Sequence, residues 1–134
     1  MVRAVGTGVI VVHLVISLVH GLSHRGAGVT LTSFGYAYVG IVVSLAPLVA
    51  GALLYTRFES IGAWLLTVSM LGSLGFGILY HFLLSGTDNV AEMHGAWHSA
   101  FVWSAVVLAI AEAVGAGVGL WVYFVIRKRG VREA

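Results

Sequence analysis

Histidine is the residue type of this sequence best suited to chemistry, and it occurs at His13, His20, His24, His81, His94 and His98. His20 and His24 are four residues apart, and so are His94 and His98, so each pair lies on one face of a helix. Two imidazoles with this spacing can chelate one ion. Neutral imidazole suits copper, iron or zinc better than magnesium or calcium. The spacing therefore predicts a transition-metal site.

The candidate ligands are the five histidines that fall at the ends of apolar runs and hence at one level: His20, His24, His81, His94 and His98. Asp88 and Glu92, in the polar segment between them, are further candidate ligands that supply oxygen. The chain has no cysteine, which excludes thiolate ligands, disulfides and iron–sulfur clusters. Five nitrogens exceed the three or four of an ordinary zinc site, so we expect either two ions or some histidines that only orient the ligands.

The composition indicates which elements must position these side chains. Apolar residues make up 60% of the chain and charged residues 9%, against about 45–50% and about 25% in soluble domains. A soluble domain is therefore excluded, and the expected partner is the lipid bilayer. The seven basic residues form no continuous basic surface, so nucleic acid is excluded as a partner.

Four apolar runs are long enough to cross a membrane, which takes about 20 residues each. They cover residues 4–22, 34–55, 61–84 and 96–126. We predict an all-α, integral membrane four-helix bundle with up-down-up-down topology that forms one domain over residues 1–134.

The basic residues predict the orientation of this bundle. If the spans alternate, one side of the membrane receives Arg3, Arg57, Arg127, Lys128, Arg129 and Arg132. Arg25 stands alone on the other side. The positive-inside rule then places both termini in the cytoplasm of a multi-pass protein of the cell membrane. The five candidate ligands lie at the extracytoplasmic side.

Two ionisable residues lie deeper, His13 and Glu112. His13 precedes His24 by eleven residues, about 16 Å of helix, and Glu112 follows His98 by fourteen residues, about 21 Å. Ionisable groups at such depth are costly and usually functional. They form a candidate proton or ion path, and a hydrogen bond that only stabilises the fold is the alternative.

Histidines on facing membrane spans resemble those of membrane b-type cytochromes. The resemblance implies haem b as an alternative cofactor, with electron transfer or a place in a respiratory complex as the function. The E-x-x-x-H signature of haem A synthases is absent.

Three functions therefore remain open. The first is a metal site for redox chemistry or metal handling, the second a haem electron carrier, and the third a proton-coupled cation transporter. A metal- or haem-dependent membrane oxidoreductase is open as an enzymatic activity. A chain this short would transport as a homo-oligomer or as part of a larger membrane complex.

Overall fold

The computed structural model describes residues 1–132 and their side chains up to Arg129. The last two residues of the predicted domain and the side chain of Arg132 lie outside the described part. Within it the chain is helical, without strands. Four helices are long and apolar enough to span a membrane, α1 (Val2–Ala27), α2 (Ser33–Leu53), α3 (Glu59–Leu83) and α4 (His98–Arg132). The prediction of an all-helical chain with four membrane-length spans is confirmed.

Local sequence explains how the first two helices are joined. Gly28 ends α1 in the left-handed conformation, with φ of 70°, and its N–H is bonded to the carbonyls of Arg25 and His24. Such a conformation is easiest for glycine. The Thr32 hydroxyl then accepts the N–H of Gly35 and so caps the start of α2.

The surface is apolar and the interior holds polar groups, the reverse of a soluble protein. Leu18 is 67% exposed and Trp103 is 70% exposed, whereas Thr67, Ser73 and Glu112 are buried. In water such an exposed apolar surface would promote aggregation, but in a bilayer it meets lipid of the same character. The surface therefore fits contact with lipid.

Helix α4 packs against both α1 and α3, and α2 packs mainly on α3. At one end of the bundle Val2, Leu54, Ala63 and Val122 form a buried apolar cluster. The opposite end, which we call the histidine end, brings together His20, His81 and Ser104 from α1, α3 and α4.

Glycines allow α3 and α4 to approach closely. A Cβ atom on Gly119 would lie 2.6 Å from the Oγ1 atom of Thr67 and 2.9 Å from its backbone nitrogen. On Gly115 it would lie 2.9 Å from the Sδ atom of Met70. This contact depends on the absence of side chains, as in other small-residue interfaces between membrane helices.

Two helices contain a wider, π-helical turn, Val39–Leu45 in α2 and Leu79–Leu83 in α3. In α3 the N–H of Leu84 reaches the carbonyl of Leu79 at 2.8 Å, five residues back. A π-helical turn changes the direction in which the following side chains point, and such turns are frequent at functional sites. His81 lies within this turn.

Candidate metal centre

Three buried or half-buried histidines converge at the histidine end: His20 and His24 from α1, and His81 from the π-helical turn of α3. We call them the histidine triad. The Nε2 atom of His20 lies 3.1 Å from that of His81 and 3.1 Å from that of His24. Each residue offers one ligand atom, and these atoms all lie within 4.8 Å of one another.

These separations fit a metal ion. With metal–nitrogen bonds of about 2.0–2.1 Å, two ligand nitrogens of a tetrahedral ion lie about 3.3 Å apart. The two nitrogen pairs at 3.1 Å are close to that length. The triad can therefore supply three ligands of one ion.

Hydrogen bonds orient two of the three rings. The Ser104 oxygen lies 2.9 Å from Nδ1 of His20 and 3.0 Å from the carbonyl oxygen of Phe101. Nδ1 of His81 donates to the backbone carbonyl of Asp88 at 3.1 Å. Because a carbonyl only accepts, the proton of neutral His81 is on Nδ1 and its Nε2 carries a lone pair.

The Nε2 lone pair of His81 therefore faces Nε2 of His20 at 3.1 Å. A proton on Nε2 of His20 can bridge the two nitrogens, and a metal ion can take the place of that proton. Metal-ligating histidines ordinarily donate their second N–H to a carbonyl, carboxylate or hydroxyl, as His81 does here.

Phe101 closes the triad on one side. It is fully buried, and its ring centroid lies 5.3, 4.9 and 5.5 Å from those of His20, His24 and His81. An aromatic ring in this place keeps the imidazoles in fixed orientations and excludes water from one face.

Asp88 adds a negative charge beside the triad. Its Oδ1 atom lies 3.1 Å from Nδ1 of His81 and 3.4 Å from Nε2 of His24. Burial raises the pKa of the Asp88 carboxyl, but the His81 N–H and the neighbouring histidines outweigh this effect and hold the pKa below its ordinary value. The carboxylate faces the far side of the His81 ring from its Nε2 atom, so it is placed to orient His81.

The structure does not bring His94 and His98 into the triad. Helix α4 begins at His98, so His94 lies in the preceding loop, where it is exposed. The expected helical pair of His94 and His98 is therefore not formed. Glu92 is also exposed, and its Oε2 atom accepts the backbone N–H of Gly86 at 3.0 Å.

The loop departs from a helix because it folds back towards α3. The N–H of Val90 is bonded to the carbonyl of His81 at 2.9 Å. Asn89, which is buried, donates to the carbonyl of Leu84 and accepts the N–H of Ala91, both at 2.8 Å. These bonds place Asp88 over the triad and leave His94 outside.

The two deep residues meet in the interior. Nε2 of His13 lies 3.5 Å from Oε1 of Glu112 and 3.4 Å from Oγ of Ser17. Among the described residues, Nδ1 of His13 has no hydrogen-bond partner. A pairing of the two deep groups across α1 and α4 is thus present.

A cavity of about 530 Å³, which we call the cleft, extends from the triad to Glu112. It lies between α1 and α2 and is closed at the back by α3 and α4. The triad and Asp88 line its outer part, and Ser17, Ser73 and Glu112 line its inner part.

Sequence reasoning missed Ser104, Phe101 and Asn89. Ser104 carried a usable signal, since a hydroxyl about two turns into an apolar span needs a partner. Phe101 carried no such signal, because an aromatic residue is ordinary in a membrane span.

Comparisons of the chain with protein-family models, with curated proteins and with solved structures found no match.

Proposed function

We propose that this protein is an integral membrane protein that binds a transition-metal ion through His20, His24 and His81, for redox chemistry or metal handling. The observation that carries the proposal is the convergence of three imidazoles, whose ligand atoms all lie within 4.8 Å of one another, with Nδ1 of His20 and of His81 each in a hydrogen bond. A cation is the species that such an arrangement of donors stabilises.

The expected location of the site is the extracytoplasmic side. Arg3, bonded to Glu59 at 2.7 Å, and Arg127 belong to the end of the bundle opposite the triad. The positive-inside rule then supports cytoplasmic termini, up-down-up-down topology and a multi-pass protein of the cell membrane.

The donors favour a bare ion over haem. Three imidazoles suit copper, iron or zinc. Two imidazoles that ligate one haem iron stand on opposite faces of the porphyrin. Nitrogens at 3.1 Å leave no room for a porphyrin between them.

The test is metal analysis of the purified protein in detergent after incubation with copper, iron or zinc. We expect about one ion per chain, lost in His20→Ala and in His81→Ala. The matched control is the double variant His94→Ala, His98→Ala, which alters two histidines outside the triad and should keep the ion. Metal-free wild-type protein, or loss of the ion only in the control, would contradict the proposal.

A proton path through His13 and Glu112 is the second candidate function. It is favoured by their separation of 3.5 Å in the interior and by the cleft that reaches Glu112 from the triad. In liposomes that contain the protein, Glu112→Gln should abolish proton flux and leave metal content unchanged. Equal flux in the variant and the parent would exclude this role.

That this chain works as a homo-oligomer or as part of a larger membrane complex stays a prediction.

A further inference from the structure

We propose that the cleft binds a lipid-soluble ligand of the quinone or quinol class, with one ring oxygen towards the histidine triad and the other towards Glu112. The inference rests on the proposed function in one respect only, since the outer oxygen would lie beside the bound metal ion. The inner half of the site, formed by Ser73 and Glu112, exists without the metal.

The shape of the cleft gives access from the bilayer. Helices α1 and α2 touch near the opposite end of the bundle, where a Cβ atom on Gly51 would lie 3.1 Å from Cδ1 of Ile10. Towards the histidine end they diverge, and a Cβ atom on Gly21 would meet no atom within 4 Å. Gly21 lines the cleft. The opening therefore lies between two helices whose outer surfaces face lipid.

The polar groups that line the cleft lie at two depths. Gly77 stands between them, because a Cβ atom there would lie 3.8 Å from Cδ2 of His81 and 3.9 Å from Oε2 of Glu112. Ser73, one turn further along α3, is 2% exposed, and its hydroxyl has no hydrogen-bond partner among the described residues. The inner part of the cleft thus offers both a hydroxyl and a carboxyl group.

The positions of the polar and apolar groups along the cleft indicate the class of ligand. A hydrocarbon chain would leave the buried Ser73 hydroxyl without a partner, at a cost in free energy. A flat ring with oxygens on opposite sides provides a polar atom at each depth and an apolar body between them. Phe76, Val39 and Leu108 supply the apolar walls that such a ring requires. The volume of about 530 Å³ lies within the range of small-molecule sites.

The experiment uses the full chain in lipid nanodiscs, loaded with metal, and decylubiquinone as the probe. We expect saturable binding of one molecule per chain. Gly77→Leu should weaken binding by about tenfold or more, because its side chain occupies the space between His81 and Glu112. Gly75→Leu is the matched control, since Gly75 is exposed and a Cβ atom there meets no atom within 4 Å. This variant should bind the probe like the wild type.

A second variant and a competition experiment test the inference independently of Gly77→Leu. Ser73→Ala removes the inner hydroxyl without adding volume, so weaker binding is expected even if Gly77→Leu does not fold. Decanol, which lacks the ring, should not displace the probe. Absence of saturable binding to the wild type, equal binding by both leucine variants, or displacement by decanol would each overturn the inference.

Metal content, measured on the same samples, separates this inference from the proposed function. Protein that holds metal but does not bind the probe overturns the ligand and leaves the metal centre standing. Protein that binds the probe with the expected dependence on Ser73 and Gly77, but takes up no metal, overturns the metal centre alone.

Discussion

The Nε2 atoms of His20 and His81 lie 3.1 Å apart, although the residues are 61 positions apart and belong to different helices. Each ring is fixed from behind, His20 by the hydroxyl of Ser104 and His81 by the carbonyl of Asp88. The bond to the carbonyl of Asp88 places the proton of neutral His81 on Nδ1 and leaves its Nε2 free to ligate. The approach is therefore a consequence of three helices and one loop acting together.

Metal occupancy should fall as the pH is lowered from about 8 to about 5, because protons compete with the ion for the Nε2 lone pairs. The pKa of Asp88 lies below its ordinary value, since its histidine neighbours outweigh the opposing effect of burial. Its carboxylate stays ionised over this range, so the loss belongs to the imidazoles. Metal analysis after gel filtration at each pH measures it, and occupancy that did not change with pH would contradict imidazole ligation.

Replacing Asp88 with asparagine should lower metal affinity by about 10–100-fold, the usual effect of removing a group that orients a ligand. The change removes the charge beside His24 and His81, at 3.4 and 3.1 Å, and keeps the shape of the side chain. Glu92→Gln is the control, because Glu92 lies in the same loop but is exposed and bonded to Gly86. Competition with a metal chelator gives both affinities. Equal affinities in the two variants would show that Asp88 has no such role.

How much of this site could be predicted depended on whether a residue stood inside a regular helix. His20 and His24 keep their predicted spacing because α1 is continuous from Val2 to Ala27. Depth in the spans singled out His13 and Glu112 as a candidate path, but their approach to 3.5 Å was not predicted.

The parts of the site that were not predicted depend on irregular structure, which residue patterns do not specify. The apolar run predicted a helix from residue 96 and a pair formed by His94 and His98, but hydrogen bonds of Asn89 fold the loop back and α4 starts at His98. The π-helical turn at His81 also has no sequence signature, because only packing against other helices favours it over an α-helical turn.

Ser104→Ala should lower metal affinity by about tenfold, because Nδ1 of His20 then loses the hydrogen-bond partner that orients the ring. Ser104→Thr retains the hydroxyl and should restore most of the affinity. Ser99→Ala, at an exposed position of the same helix, serves as the control. The spectrum of bound Cu²⁺ provides a second measurement, since a change of ligand orientation alters it. An unchanged spectrum and affinity in Ser104→Ala would exclude the positioning role.

Gly119→Val should destabilise the bundle by about 1–3 kcal/mol, the usual cost of forcing extra atoms into a packed interface. Its first added carbon would lie 2.6 Å from Oγ1 and 2.9 Å from the backbone nitrogen of Thr67, and a backbone atom cannot move aside as a flexible side chain can. Gly117→Val is the matched control, since a Cβ atom at Gly117 meets no atom within 4 Å. The two variants add the same atoms to the same helix and change its intrinsic propensity equally, so their difference isolates the contact between α3 and α4. Thermal unfolding in detergent, followed by circular dichroism, should give a lower midpoint for Gly119→Val than for Gly117→Val. Equal midpoints would mean that the two helices do not depend on this close approach.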